Sequence, residues 1–245
     1  MKDALGDRIK SQYENRTRYF LPRRTYTIIR LDGKAFHTYT KGCERPFDTA
    51  LIHAMNETAN FLCQEIQGAK MAFVQSDEIS ILLTDFEKPT TSAWYDGNIQ
   101  KITSISAALA SAYFNKIRNE QGIEELAFFD SRVFTIPDRT EVENYFIWRQ
   151  NDCVRNSISM LAQSLYTHKE LLGKSSNDLQ ELIFQKGQNW NDYPIRLKRG
   201  GLSLRVPYQK EMVTRHRWVN NGAIWFSKER DALEKLIPNI QKTLV

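Results

Sequence analysis

The chain has 245 residues, 41% of them hydrophobic, which is enough to bury the core of one large domain or two small ones and excludes a disordered or fibrous protein. Lys and Arg number 34 against 29 Asp and Glu, and the resulting net charge of +5 suits an anionic partner without requiring one. No window approaches the ~20 apolar residues of a membrane helix and the N-terminal stretch has no apolar signal core, so a cytoplasmic protein without a membrane partner is expected.

In chain order, residues 25 to 32, TYTIIRLD, are β-branched and aromatic, with Thr27, Ile29 and Leu31 on one face and Ile28, Arg30 and Asp32 on the other. They predict a strand that ends in an acid followed by Gly33. Asp48 occupies an N-cap position, and Leu51, Met55, Ala59, Leu62 and Ile66 recur at helical spacing, which predicts a helix to about Gln67. KMAFVQSD and EISILLTD then read as two strands meeting in a tight hairpin around Ser76, Asp77 and Glu78. A second helix is predicted over 98 to 118, its inner stripe being Ile102, Ile105, Leu109, Ala112 and Lys116. DSRVFTIP, residues 130 to 137, is the fourth strand, stopped by Pro137.

Strand, helix, strand, strand, helix, strand is the order of a ferredoxin-like α+β fold, an antiparallel sheet with both helices on one face. That topology makes the first strand a neighbour of the hairpin, so Asp32 and Asp77 can meet although far apart in sequence. Residues 1 to 137 form this first region, with a soft boundary there. Beyond it a long helix over 139 to 167 is expected, with Ile147, Val154, Ile158, Leu161 and Leu165 inward and Tyr145, Arg149, Asp152, Asn156, Ser159 and Gln163 on the opposite face. A further helix follows a Ser176 or Asn177 cap and stops at Gly187, and basic IRLKRGGLSLRV reads as strand. Residues 138 to 245 thus make a C-terminal extension packed on the first region.

Two acids converging at strand ends repel, and a site that keeps both ionised neutralises them with a divalent cation, magnesium being the natural choice for hard oxygen ligands. Gly33 lets its backbone carbonyl join them, and the loop GKAFH offers amide donors, Lys34 and His37 to a triphosphate. Metal-assisted phosphoryl or nucleotidyl transfer is the reaction class that follows. No P-loop or dinucleotide-binding glycine pattern is present. Cys43, Cys63 and Cys153 lack metal or redox spacing and the four histidines are scattered, so free thiols and no histidine metal cluster are expected. Each feature alone also has an ordinary explanation, as a turn, a cap or a wet helix face.

Taken together, RLDGKAFHTYTKG, RPFD, QSDEIS, KITSISAALASAYFN, FDSRVF, YFIWRQNDC and KRG, in this order over roughly residues 6 to 200, resemble the tRNA-histidine guanylyltransferase family and its bacterial and archaeal relatives, the 3′-to-5′ polymerases. The resemblance implies a polymerase-palm-like core that adds nucleotides to the 5′ end of tRNA, ATP or GTP first activating a 5′-monophosphate. It assigns two magnesium ions to Asp32, the Gly33 carbonyl and Asp77, with Glu78 a supporting acid. It assigns nucleotide binding to Asp32, Gly33, Lys34, Ala35, Phe36, His37, Ser76 and Asp77, and to Asp48 and Lys101. Contacts to the tRNA acceptor end are expected from Arg30, Arg149, Arg155, Asn156, Lys198 and Arg199. A homotetramer is also implied. Where guanylyltransferases acting on histidine tRNA carry His-Ile-Asn-Asn, this chain has Val154, Arg155, Asn156 and Ser157. The departure favours templated repair of truncated tRNA over addition of an extra guanosine to histidine tRNA. A nucleotide cyclase on the same palm and a non-catalytic RNA-binding module are the other readings the residues allow.

Overall fold

The computed structural model describes residues 3–240. Its helices and strands run α1 (Ala4–Gln12), β1 (Tyr26–Gly33), α2 (Phe36–Tyr39), α3 (Thr49–Glu65), β2 (Ala69–Gln75), β3 (Glu78–Leu83), α4 (Ile99–Glu120), β4 (Phe129–Ile136), α5 (Arg139–Leu165), α6 (His168–Leu171), α7 (Ser176–Gln185), α8 (Ile195–Arg199), β5 (Gly201–Lys210), β6 (Val213–Gly222) and α9 (Arg230–Leu236). The six strands form one sheet in the order β4-β1-β3-β2-β5-β6, whose first four are the expected βαββαβ unit. Every pairing is antiparallel. The sheet continues past residue 137, because β5 pairs with β2 from Met71↔Leu204 to Val74↔Gly201.

Side-chain alternation sends the two faces of β1 into two cores. Ile29 and Leu31 join Met55, Leu62, Ile102 and Phe114 under α3 and α4, whereas Tyr26 and Ile28 join Val142, Phe146 and Phe226 under α5. A third cluster, with Leu161, Ile183 and Trp190, holds α7 against the far end of α5. Among the described residues no helix is long and apolar enough to cross a membrane.

Four local expectations need correction. The buried stripe of α4 is Ile102, Ser106, Ala110, Phe114 and Arg118, while Ile105, Ala112 and Lys116 are exposed. Ser106 sits inward because its hydroxyl bonds the Ile102 carbonyl at 2.6 Å and the Ser131 hydroxyl at 2.7 Å, so a polar position belongs to the inner face. Tyr145 and Arg149 of α5, expected on a solvated face, are buried against the sheet. The cap of α7 is Ser175, which forms a capping box with Asp178. Residues 195–199 are a short helix and not strand; Gly200, in the left-handed region at φ 82°, turns the chain into β5.

Candidate active site

The register of β1 brings the acids together. Asp32 is paired with Glu78 on β3 and with Asp130 on β4, so three carboxylates share one row and one face of the sheet. Asp77 lies in the two-residue turn between β2 and β3, where Ser76 adopts φ 45°, and its carbonyl accepts a hydrogen bond from the Gly33 amide at 3.2 Å. That bond ties the hairpin tip to the strand end 44 residues earlier in the chain.

Burial, with the nearby Glu78 and Asp130 charges added, pushes the Asp32 carboxyl above the usual carboxylate range against the pull of Arg30 and Arg132. Burial is also the main cause of the rise at Asp77, followed by the charges of Asp32 and Glu78. Both acids therefore carry negative charge that the protein itself compensates poorly. Glu78 differs. It is 4% exposed, and Arg149 binds it in a fork, Nε to Oε1 at 2.7 Å and Nη2 to Oε2 at 2.7 Å, while Arg30 reaches Oε2 at 2.8 Å. Arg149 goes on to Asp152 at 3.0 Å, and Asp152 to Arg155 at 2.7 Å. An ion-pair chain thus runs from beneath the acids to the surface.

After Gly33 the chain turns through Ala35, left-handed at φ 54°, into α2. Phe36 plugs this loop into an aromatic cluster with Tyr39, Phe114 and Phe129, at centroid distances of 5.1, 5.7 and 5.2 Å. Phe36 lies so close to Gly33 that a Cβ there would stand only 2.2 Å from its ring, which is why this position takes glycine. Beside the loop is a cavity of about 570 Å³, lined by Gly33, Ala35, Phe36, His37, Asp48, Ser76 and Asp77 and closed on one side by Met160 and Gln163 of α5. Asp48 caps α3 by accepting from the Leu51 amide at 2.8 Å and also accepts from the Glu44 amide at 3.1 Å. Burial opposes its ionisation, but these two bonds, with Cys43 and Arg118, hold its carboxyl below the usual range.

Seven of the residues expected at the nucleotide thus line one cavity. Asp32 and Lys34 do not contribute to its wall, although Asp32 is near enough to Asp77 to raise its pKa. Lys101 is not gathered there. It sits in the first turn of α4, its ammonium 5.7 Å from the Tyr95 ring centroid, and ~20 Å of helix separates it from Phe114, which packs on Phe36. Of the residues expected at tRNA, Arg155 and Asn156 are exposed, whereas Arg149 and Lys198 are buried. Arg149 is held by Glu78, and the Lys198 ammonium donates to the Asn191 carbonyl. Arg30 is likewise committed to Glu78, and Arg199 lies over the Trp225 ring at 4.3 Å.

Sequence reading missed Arg132, whose Nη2 stands 3.5 Å from both Asp32 and Asp130, and missed the cavity wall formed by Thr40, Glu44 and Arg45. FDSRVF contained Arg132, RLDGKAFHTYTKG Thr40 and RPFD Arg45, with Glu44 between the last two motifs, but only the register and the loop path show where they point. Among the described residues no group of three or more His, Cys, Asp and Glu side chains is arranged to hold a metal.

The comparisons with known proteins agree on one family. The profile described as tRNA-His guanylyltransferase (Thg1) matches residues 6–137, more than half of the chain. A bacterial tRNA(His) guanylyltransferase (Thg1)-like protein, solved in complex with ATP and again with GTP, is 44% identical, covers 96% of this chain and 99% of its own, and superimposes with TM-scores of 0.86 and 0.84. The tRNA(His) guanylyltransferase of Schizosaccharomyces pombe is 31% identical over 216 residues, 82% of this chain and 80% of that protein. The Saccharomyces cerevisiae enzyme, 23% identical with a TM-score of 0.69 over 85% of this chain and 94% of its own, shares the fold. The chain belongs to the tRNA(His) guanylyltransferase family and is a nucleotidyltransferase.

Proposed function

We propose that this protein is a magnesium-dependent 3′-to-5′ nucleotidyltransferase that adds nucleotides to the 5′ end of tRNA, repairing truncated ends by templated addition. The observation that carries the reading is the meeting of Asp32 and Asp77 at one sheet edge beside the Gly33–His37 loop and its cavity.

The residues present fit a divalent cation. Burial and neighbouring acids raise both carboxylates, Glu78 and Asp130 acting on Asp32, and Asp32 and Glu78 on Asp77. Of the two cations that pull the other way on Asp32, Arg30 is committed to Glu78 and Arg132 stands a loose 3.5 Å away; the Gly33 carbonyl adds a hard donor. Asp32, Asp77 and that carbonyl would hold the ions, which when bound would supply acidification of the attacking hydroxyl and neutralisation of the phosphate-bearing leaving group of each step. The loop amides, His37 and Ser76 bind the triphosphate of ATP or GTP, a role supported by the bacterial relative's complexes with both. Phe36 acts through its anchor in the aromatic cluster, which fixes the loop's path. Met160 and Gln163 of α5 form the wall that faces the loop across the cavity. In the reaction an RNA ending in a monophosphate first attacks the α-phosphate of ATP or, alternatively, GTP and releases pyrophosphate; the 3′-hydroxyl of the incoming nucleotide then gives up its proton and attacks the activated 5′ phosphate, releasing AMP or GMP.

Arg155 and Asn156, exposed on α5, support templated repair, since the imidazole expected of a histidine-tRNA enzyme is replaced by Val154, which is half-buried beside Ile158 and Leu161. The second reading, addition of an extra guanosine to histidine tRNA, is favoured by the names of the curated relatives. A homotetramer in the cytoplasm completes the proposal; three free thiols suit a reducing compartment. The test is extension of several 5′-truncated tRNAs with each nucleotide, the opposing base being varied, by the wild type and Asp77→Ala. Addition that follows the opposing base and disappears in the variant supports repair. Guanosine added regardless of that base, and only to histidine tRNA, supports the second reading.

A further inference from the structure

Trp148 has no part in the reading above, and its setting is unusual. It is 50% exposed although its chain neighbours Ile147 and Arg149 are buried. Three side chains nevertheless hold the indole: Arg149 lies over the ring at 4.4 Å from its centroid, Arg30 at 5.8 Å, and Tyr145 meets it edge-on at 6.0 Å. All three are fixed in turn, Arg149 by its fork to Glu78, Arg30 by its 2.8 Å ion pair to the same carboxylate, and Tyr145 by a 2.7 Å bond between its hydroxyl and that of Ser80. The indole is thus pre-positioned and still open to solvent. It lines an open groove of about 460 Å³ with Asn144, Tyr145 and the end of β4.

The groove lies at the Thr135–Pro137 end of β4, away from Asp130, and Arg30 links the indole to the acids. Arg30 precedes Asp32 by two residues on the same strand face, and its register partner on β4 is Arg132. Arg132 is half exposed and only 3.5 Å from Asp32 and Asp130, a loose pairing that leaves its guanidinium able to take a phosphate. A single exposed aromatic is ordinary on a protein surface. An aromatic restrained on three sides, with guanidinium groups between it and a nucleotidyl-transfer site, has the features of a base-stacking platform.

We propose that Trp148 stacks an unpaired base at the end of the RNA acceptor, the base opposite the missing 5′ nucleotide, while Arg132 contacts the neighbouring phosphate. The inference rests on the tRNA-repair reading and locates the RNA end within it. An unpaired base presents a free π-face to the indole, whereas a base inside the stem is already covered by its neighbours.

The experiment uses a stem-loop RNA whose 5′ strand is one nucleotide short, leaving a single unpaired base opposite the gap, and the same RNA made abasic at that position. Equilibrium binding is measured by fluorescence anisotropy for the wild type, Trp148→Ala and Trp148→Phe. The proposal predicts that Trp148→Ala weakens binding of the base-containing RNA about tenfold and that Trp148→Phe recovers most of the loss. The abasic RNA should bind the wild type about as weakly, with no further loss in Trp148→Ala. Equal affinity of the wild type for the two RNAs would overturn the proposal without any variant, and so would an abasic penalty of the same size in Trp148→Ala as in the wild type. Turnover is scored separately: failure of the wild type to extend any truncated tRNA would sink the repair reading, while the binding comparison decides the role of Trp148.

Discussion

Glu78 lies directly across the sheet from Asp32, and Arg149 grips both of its carboxylate oxygens at 2.7 Å. With Arg30 also at 2.8 Å, the charge of Glu78 is already committed inside the protein. The proposed cation falls to Asp32 and Asp77, and Glu78 with its two arginines supports Asp32 from the next strand.

Removing one partner of that ion-pair cluster should be severe. Arg149→Met leaves Glu78 buried with Arg30 alone, and a loss of about 3 kcal/mol in unfolding free energy is expected from urea denaturation. Arg149→Lys keeps the charge but not the fork, so it should fall between the two. A loss under about 0.5 kcal/mol for Arg149→Met would show that the pair contributes little.

The close approach of Gly33 to Phe36 gives a second prediction. Gly33→Ala forces the Phe36 ring out of its place against Phe114 and Phe129, which should cost about 1–3 kcal/mol by overpacking and lower nucleotide affinity. Adding Phe36→Leu should recover part of the stability but not the affinity, because the loop loses its anchor. Purely additive losses in a double-mutant cycle would contradict the direct contact.

Much of this was legible because it depends on local pattern. The strand that ends at Asp32, the Asp48 cap, the hairpin tip and the order of the first four strands all follow from side-chain period and turn chemistry over a few residues. What was hidden depends on partners distant in the chain. Arg149 and Tyr145 read as a wet helix face because nothing local reveals that Glu78 and Ser80, 71 and 65 residues earlier, receive them. Lys198 read as an RNA contact for a different reason: its partner is a backbone carbonyl only seven residues earlier, at Asn191, and no side-chain pattern marks a backbone acceptor. Residues 195–199 are too short for either period to show, and the turn into β5 is carried by Gly200 alone.

Asp48 supplies a pH-dependent prediction. Its carboxyl is lowered in the folded state, so its contribution is present above the ordinary value of 3.8 and is lost as pH falls through the lower folded value. Asp48→Ala should therefore destabilise by about 1 kcal/mol at pH 7, and the difference from wild type should shrink as the pH is taken below that range. A difference independent of pH down to acid unfolding would contradict a role for the ionised cap.

Asp77 should behave in the opposite way without metal. Burial and the charges of Asp32 and Glu78 oppose its ionisation, so Asp77→Asn is expected to raise the Tm of chelator-treated protein by a few degrees. Excess magnesium should stabilise the wild type and not the variant, reversing the order. Identical magnesium responses in the two proteins, read by calorimetry, would count against a shared cation.

The most direct test of that cation is uptake of Mn²⁺ by the nucleotide-free protein, followed as loss of the free-ion signal in electron paramagnetic resonance, for wild type, Asp32→Asn and Asp77→Asn. Saturable uptake by the wild type that disappears in each variant, with near-ultraviolet circular dichroism unchanged, is the predicted result. Uptake by either variant equal to that of the wild type would contradict the account.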